Sequence, residues 1–202
     1  SYVDEQIGRV LDALDNSAYA NSTIVILASD NGYNAGEKDM WAKFALWDQT
    51  CRVVFAISIP GNRAQLQTTP VGLIDLYPTL VALCRLPQPV QTLDGFDLGP
   101  LLRQESGISR KTVLSTWGLG NHSVTDGRFR YIRYLNGDEE LYDLSTDPHE
   151  WTNQAGNTRF NLVKQSLIAE LPKVEAPEIE PAYKWDGSEL RRDLFDAWGK
   201  IN

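Results

Sequence analysis

The chain has 202 residues, with 19 Lys and Arg against 27 Asp and Glu, leaving a net charge of −8. That length buries a core without disulfide or metal staples, and an acidic chain with no basic block argues against nucleic acid as a partner. No apolar run approaches the roughly 20 residues that cross a bilayer, so no membrane span is expected.

The opening residues Ser1-Tyr2-Val3-Asp4-Glu5 carry neither the basic nor the apolar region of a signal peptide. Val3, Ile7, Val10, Leu11 and Leu14 fall at helical spacing. An amphipathic helix is therefore under way almost from residue 1, as expected of the rear portion of something longer. Thr23-Ile24-Val25-Ile26-Leu27-Ala28 is a continuous, β-branched apolar run, the pattern of a parallel-sheet strand covered on both faces. A polar loop over 33–50 follows, and Val53–Ile59 repeats the strand pattern before Pro60-Gly61. Asp75 is placed to cap a helix that has Pro78 in its first turn and ends near Cys84. Cys84, with its apolar neighbours, reads as a small buried hydrophobe. With Cys51 it defines neither a disulfide framework nor a zinc site, and the pair leaves the redox compartment open.

The texture changes near residue 111. Val113–Trp117 and His122–Thr125 read as strands, Asp126-Gly127 turns into Arg128–Leu135 with Phe129 and Tyr131 on one face, and Asn136-Gly137 turns into Glu140–Leu144. Two tight-turn dipeptides between alternating runs predict a small antiparallel meander. Phe160, Val163, Leu167 and Leu171 predict a helix packed on it, residues 173–187 are expected to be extended, and Leu190, Leu194, Phe195 and Trp198 to pack back on the body. The fold class expected is α/β, divided into 1–110, a catalytic-type α/β unit with parallel strands, and 111–202, a small antiparallel subdomain with helix and tail.

The chemistry concentrates where the first strand ends, at Ser29-Asp30-Asn31-Gly32, because α/β sheets place ligands at the carboxyl ends of their strands. Asp30 and Asn31 both offer oxygen, the donor that hard divalent cations take, although Asp-Asn-Gly is also an ordinary turn. Lys43, thirteen residues after Asp30, sits among Trp41, Phe44 and Trp47. It can set a point charge against an anionic ester oxygen or simply lay its stem on an indole. Lys38 admits the same two readings, the second the stronger. His149, in Asp147-Pro148-His149-Glu150, reads as a surface turn residue.

Residues 29–60, SDNGYNAGEKDMWAKFALWDQTCRVVFAISIP, resemble the sulfatase family of the alkaline phosphatase superfamily, in the manner of its iduronate-2-sulfatase and choline-sulfatase-like subgroup. The pattern is Ser-Asp-His/Asn-Gly, Gly-Glu-Lys or Gly-Glu-His, Trp-x-Lys, an aromatic-acid pair and Arg-Val-Pro. The resemblance continues through Gly72–Leu80, Leu93-Asp94-Gly95, Pro100-Leu101-Leu102, Arg130–Tyr134, Glu140–Leu144 and Asp147–Asn153, so that it covers about residues 1–172.

It implies a metal-ligand carboxylate at Asp30, a neighbouring oxygen ligand at Asn31 with calcium as the usual ion, and at Lys43 a lysine that contacts the sulfate ester. His122, after Gly120-Asn121, falls where an Asn-His pair in relatives can approach the substrate. The family nucleophile, a formylglycine made in a Cys/Ser-x-Pro-x-Arg motif, is expected upstream. Cys84 stands in Cys-Arg-Leu-Pro-Gln, with proline one place late and glutamine for arginine, and Cys51 has no such context. What the resemblance implies is a sulfuric ester hydrolase acting on a sulfated small molecule or carbohydrate, with this chain as its C-terminal portion and an N-terminal portion of the same enzyme as partner. Phosphate or phosphonate ester hydrolysis and a non-catalytic fragment are the alternatives. Asn34 and Ala35 stand where His-Leu is common, Val54 and Phe55 replace Pro-Leu, and Thr125 replaces an arginine of many relatives. These departures touch substrate contacts more than metal ligands.

Overall fold

A computed structural model of the chain describes residues 1–105 and 112–177. Helix α1, Tyr2–Asp15, starts where Ser1 accepts a hydrogen bond from the Asp4 N–H, with Asp4 and Glu5 set against the positive end of the helix dipole. None of its residues is buried: Tyr2, Val3 and Val10 are 77%, 65% and 69% exposed.

Strand β1, Val25–Ala28, pairs with the strand Phe55–Ser58 in a two-stranded sheet. The pairing is antiparallel, Val25 opposite Ser58 and Ala28 opposite Phe55, which corrects the parallel arrangement expected from the sequence. Side-chain periodicity reports which face is apolar and carries no information on strand direction. Here the direction is set by the intervening segment, which doubles back on itself. Nor is β1 covered on both faces, since Leu27 and Ala28 are exposed.

That intervening segment is more ordered than a polar loop. It holds a hairpin of β2, Asn34–Ala35, and β3, Trp41–Ala42, with a 3-10 turn at Glu37–Asp39 between them. A four-residue helix α2, Asp48–Cys51, then leads into β4, Phe55–Ser58.

Helix α3, Leu76–Leu83, ends one residue before Cys84, as the sequence predicts. Asp75, however, does not cap it through its side chain. Its carboxylate reaches back to the Gly72 N–H at 2.8 Å and across to the Phe96 N–H at 2.9 Å, closing the 3-10 turn Leu73–Asp75. Glycine is required at position 95, because a Cβ there would lie 2.1 Å from the Ile74 carbonyl oxygen. Cys84 is exposed rather than buried, since the buried side of α3 is formed by Thr79 and Val81. A short helix α4, Gly99–Leu102, follows.

The second half is the predicted meander: β5 Val113–Thr116, β6 His122–Thr125, β7 Phe129–Arg133 and β8 Glu139–Asp143, paired in that order and antiparallel throughout. Its last two turns use Gly127 and Gly137 at φ 92° and 90°, the left-handed region glycine enters without steric cost. The strand period of two sorts β7 between two cores. Phe129 and Tyr131 join Val124 and Leu141 against Leu167 and Leu171, on and just beyond helix α5, Asn161–Ile168. Ile132 and Tyr142 face the opposite way and pack on Leu46, with Trp47 and Cys51 beside them. One face of the sheet thus carries the last helix and the other carries the β3–α2 segment. Residues 190–198, expected to pack back on the body, lie outside the described residues.

A cleft between the first loop and the meander

The loop after β1 is fixed by its backbone. The Ser29 N–H donates to the Val54 carbonyl at 3.0 Å, the Ser29 hydroxyl to the Asn31 carbonyl at 2.7 Å, and the Gly32 N–H to the Thr50 carbonyl at 2.9 Å. Only glycine fits at 32, because a Cβ would stand 2.0 Å from the Gln49 carbonyl oxygen. This presses the loop onto α2 and leaves Asp30 exposed at the rim.

Asp30 and Lys43 line one cleft of about 670 Å³, whose lining also includes Leu114, Ser115 and Thr116 of β5, Trp117 just beyond it and Thr125 of β6. Asp48, Arg52 and Arg130 also line it. Their charges balance together with a buried neighbour: Asp48 pairs with Arg52 at 3.0 Å and with Arg130 at 2.8 Å, and Arg130 also faces Glu150 at 3.2 Å. Asp30 and Lys43, by contrast, make no ion pair among the described residues, and they are the cleft's uncommitted charges. The structure therefore brings together two of the four residues singled out in the sequence. Asn31 is half-buried beside Asp30 and does not line the cleft.

His122 is placed elsewhere. It begins β6, 1% exposed, and both ring nitrogens are engaged, Nδ1 with the Thr116 hydroxyl at 2.9 Å and Nε2 with the Glu175 carboxylate at 2.9 and 3.0 Å. Burial with two satisfied nitrogens is the geometry of a structural histidine tying the segment after α5 to the sheet. His149 is exposed, as expected.

Lys38 does not reach the cleft. Its ammonium lies 4.6 Å from the Trp47 ring centre and 4.5 Å from that of Tyr142, and donates to the Tyr142 hydroxyl at 3.1 Å. Burial holds its pKa below the ordinary lysine value, against the pull of Glu140, Glu150 and Asp147. Glu140 accepts from Trp47 Nε1 at 2.7 Å and from the Tyr134 and Tyr142 hydroxyls at 3.0 and 2.7 Å. The phenols of Tyr134 and Tyr142 are pushed up by burial and by that carboxylate, so they remain donors.

Two of the cleft's lining residues, Asp48 and Arg130, belong to a cluster that sequence reasoning missed. Arg130, 3% exposed, donates to the Ser123 hydroxyl at 2.8 Å and to Asp48, and its Nε faces Glu150 Oε1 at 3.2 Å, an ion contact short of hydrogen-bond geometry. Glu150 also accepts the Asp48 N–H at 2.8 Å. Burial pushes the Glu150 carboxyl up, while Arg130 and that N–H pull it back. The available signal was the alternation of β7, which sets Arg130 on the face opposite Phe129. The half-buried Cys51 thiol is pushed up by burial, the wrong direction for a nucleophile.

Asp30 and Asn31 each carry a side-chain oxygen, the donor kind that a hard cation takes, two against the six to eight that calcium needs. Among the described residues there is no group of three or more His, Cys, Asp or Glu that could hold a metal ion.

The sulfatase family model matches residues 1–85. A sulfatase from Formosa agariphila is 39% identical over 177 residues, covering 87% of this chain and 35% of that protein. A choline-sulfatase from Rhizobium meliloti is 30% identical, covering 84% and 34%. Among solved structures, a putative sulfatase from Bacteroides thetaiotaomicron aligns with a TM-score of 0.72 at 30% identity, over 83% of this chain and 39% of that one. A phosphonate monoester hydrolase from Agrobacterium radiobacter aligns with a TM-score of 0.71 at 26% identity, over 89% and 43%. The chain spans about a third of the length of the curated relatives it matches. The fold, the ordered motif run from Ser29 to Pro60 and these similarities agree: the chain belongs to the sulfatase family of the alkaline phosphatase superfamily.

Proposed function

We propose that this chain forms one wall of the active site of a sulfuric ester hydrolase, with Lys43 as the group that holds negative charge on the ester oxygens. The observation that carries the reading is the meeting of Asp30 and Lys43, without ion pairs among the described residues, in one cleft of a sulfatase-family chain. A lysine ammonium at that position is a compact charge that gains strength as charge develops on the leaving oxygen. Asp30 and Asn31 serve as two oxygen ligands of a divalent cation, calcium by preference. Such an ion supplies charge stabilisation for a sulfate ester's oxygens. The nucleophile, a formylglycine, belongs to an N-terminal portion of the same enzyme.

Two features support such a portion as partner. The chain matches only about a third of its relatives, and α1 leaves Tyr2, Val3 and Val10 uncovered. Residues 1–110 and 111–202 act as two units, a catalytic-type part and a meander with its helix. The substrate is a sulfated small molecule or carbohydrate. The test is turnover of aryl sulfate against aryl phosphate by the protein at its relatives' length: preference for sulfate supports the reading, and preference for phosphate or no turnover of either overturns it.

A further inference from the structure

Besides its charged residues, the cleft is lined by Val71, Leu73, Ile74 and Leu114, by the hydroxyl-bearing Ser115 and Thr116, and by Trp117. Trp117 is 50% exposed. Among the described residues its ring stacks on no other ring and its indole N–H has no hydrogen-bond acceptor. A large aromatic left half in water commonly marks a place where something else is to be covered.

Its backbone, in contrast, is held. The Trp117 N–H donates to the Asn121 carbonyl at 3.0 Å, closing a turn in which Gly118 and Gly120 adopt φ of 65° and 70°. Asn121 in turn accepts the Leu135 N–H at 3.1 Å. Gly120 packs so closely on Leu135 that a Cβ would stand 2.7 Å from its Cδ1. The preceding Thr116 hydroxyl is engaged by the buried His122 ring at 2.9 Å. The platform is built before any ligand arrives, which reduces the ordering cost of binding.

We infer that Trp117 is a substrate-binding residue on which the alcohol part of the ester stacks, and that this part is a neutral six-membered ring, aryl or pyranose. The inference rests on the sulfate ester reading, which places the anionic group at Asp30 and Lys43. The ring is neutral because, beyond Asp30 and Lys43, the lining charges are balanced: Asp48 pairs with Arg52 and Arg130, and Arg130 also with the buried Glu150. It is a ring because an indole face favours flat or puckered rings over a chain that slides across it.

The experiment uses the protein at its relatives' length, with Trp117→Ala and Trp117→Phe compared on phenyl sulfate, a pyranose 6-sulfate and ethyl sulfate. The expected result is a KM raised about tenfold by Trp117→Ala on at least one ring ester. On the same ester kcat should be little changed and Trp117→Phe should return to within about threefold of the parent, while ethyl sulfate is unaffected. Which ring ester responds identifies the ring. An equal loss on all three esters, or no loss on any, overturns the inference. A second measurement separates it from the reading it rests on: saturable quenching of tryptophan fluorescence by either ring ester, lost in Trp117→Phe. Quenching without turnover keeps the platform and removes the sulfatase reading; turnover without a quench that depends on Trp117 does the reverse.

Discussion

The Arg130 guanidinium donates to Asp48 at 2.8 Å across 82 residues of sequence, and this contact joins the meander to the segment that carries Lys43. Asp48 opens α2, five residues after Lys43, and its own N–H is held by Glu150. The β3–α2 segment is thus pinned to the face of the sheet it packs on by Arg130 and Glu150, with the Trp47–Glu140 and Lys38–Tyr142 contacts alongside. Breaking such a cluster strands charge in a place that water reaches poorly.

Arg130→Ala is therefore expected to destabilise the chain by about 3–5 kcal/mol, the range for removing one partner of a buried pair. Replacing Arg130 and Glu150 together by Met and Leu should cost markedly less, since no lone charge is left behind. Urea unfolding of the three proteins checks this. Equal losses for the single and double variants would show that the cluster contributes through shape and not through charge.

The cluster also shows where sequence reading ends. The meander was legible because each of its signals is local: Asp126-Gly127 and Asn136-Gly137 demand left-handed glycines, and Phe129 and Tyr131 alternate with Arg130 and Ile132. Asp30 and Lys43 were legible through motif spacing. The partners of Arg130 were not, because nothing near Asp48 or Glu150 in sequence announces a contact 82 residues away. The direction of β1 against β4 was hidden for the same reason, and Cys84 was misplaced because apolar neighbours do not say which side of α3 faces inward.

Acid should weaken the meander through Asp143. Arg128 grips its carboxylate with two hydrogen bonds, at 2.8 and 3.1 Å, and Ser145 adds others, holding the pKa at about 2. A carboxyl depressed in the folded state contributes stability that is complete above its unfolded value near 3.8 and is lost as pH falls through about 2. The effect is modest, because the Arg128 side chain is 60% exposed and screened by water. Asp143→Asn should be less stable at pH 7 and show a flatter loss of stability between pH 4 and 2. Thermal melts across that window test it, and an unchanged slope in the variant would count against the pairing.

Gly32→Ala tests whether the loop after β1 must lie against α2. The added methyl would stand 2.0 Å from the Gln49 carbonyl oxygen and 2.9 Å from that of Arg52, so the backbone has to move. An overpacking cost of roughly 1–3 kcal/mol is expected. The bond from the residue-32 N–H to the Thr50 carbonyl should loosen with it, which hydrogen exchange at that same amide reads directly. A variant with parent stability and exchange would mean that the loop has another resting place.

The last prediction concerns Asp30 and Lys43 in the cleft. Calcium takes six to eight oxygens, and Asp30 with Asn31 offers two, so in this chain alone water must fill the rest. Water ligands give no preorganisation, and the net charge of −8 draws cations only diffusely. These 202 residues by themselves are therefore expected to bind calcium no tighter than about the millimolar range and to show no sulfatase turnover. In the protein at its relatives' length the two residues should separate in effect. Asp30→Ala removes a ligand and should abolish activity, restored in part by Asp30→Asn, which keeps one oxygen. Lys43→Ala removes a single charge that strengthens in the transition state, so kcat should fall by roughly two to three orders of magnitude while the fold stays intact. Calcium titration by calorimetry and aryl sulfate kinetics on the chain, the longer protein and these variants decide the matter. Brisk hydrolysis by the isolated chain, or parent rates from either alanine variant, would remove Asp30 and Lys43 from the reaction.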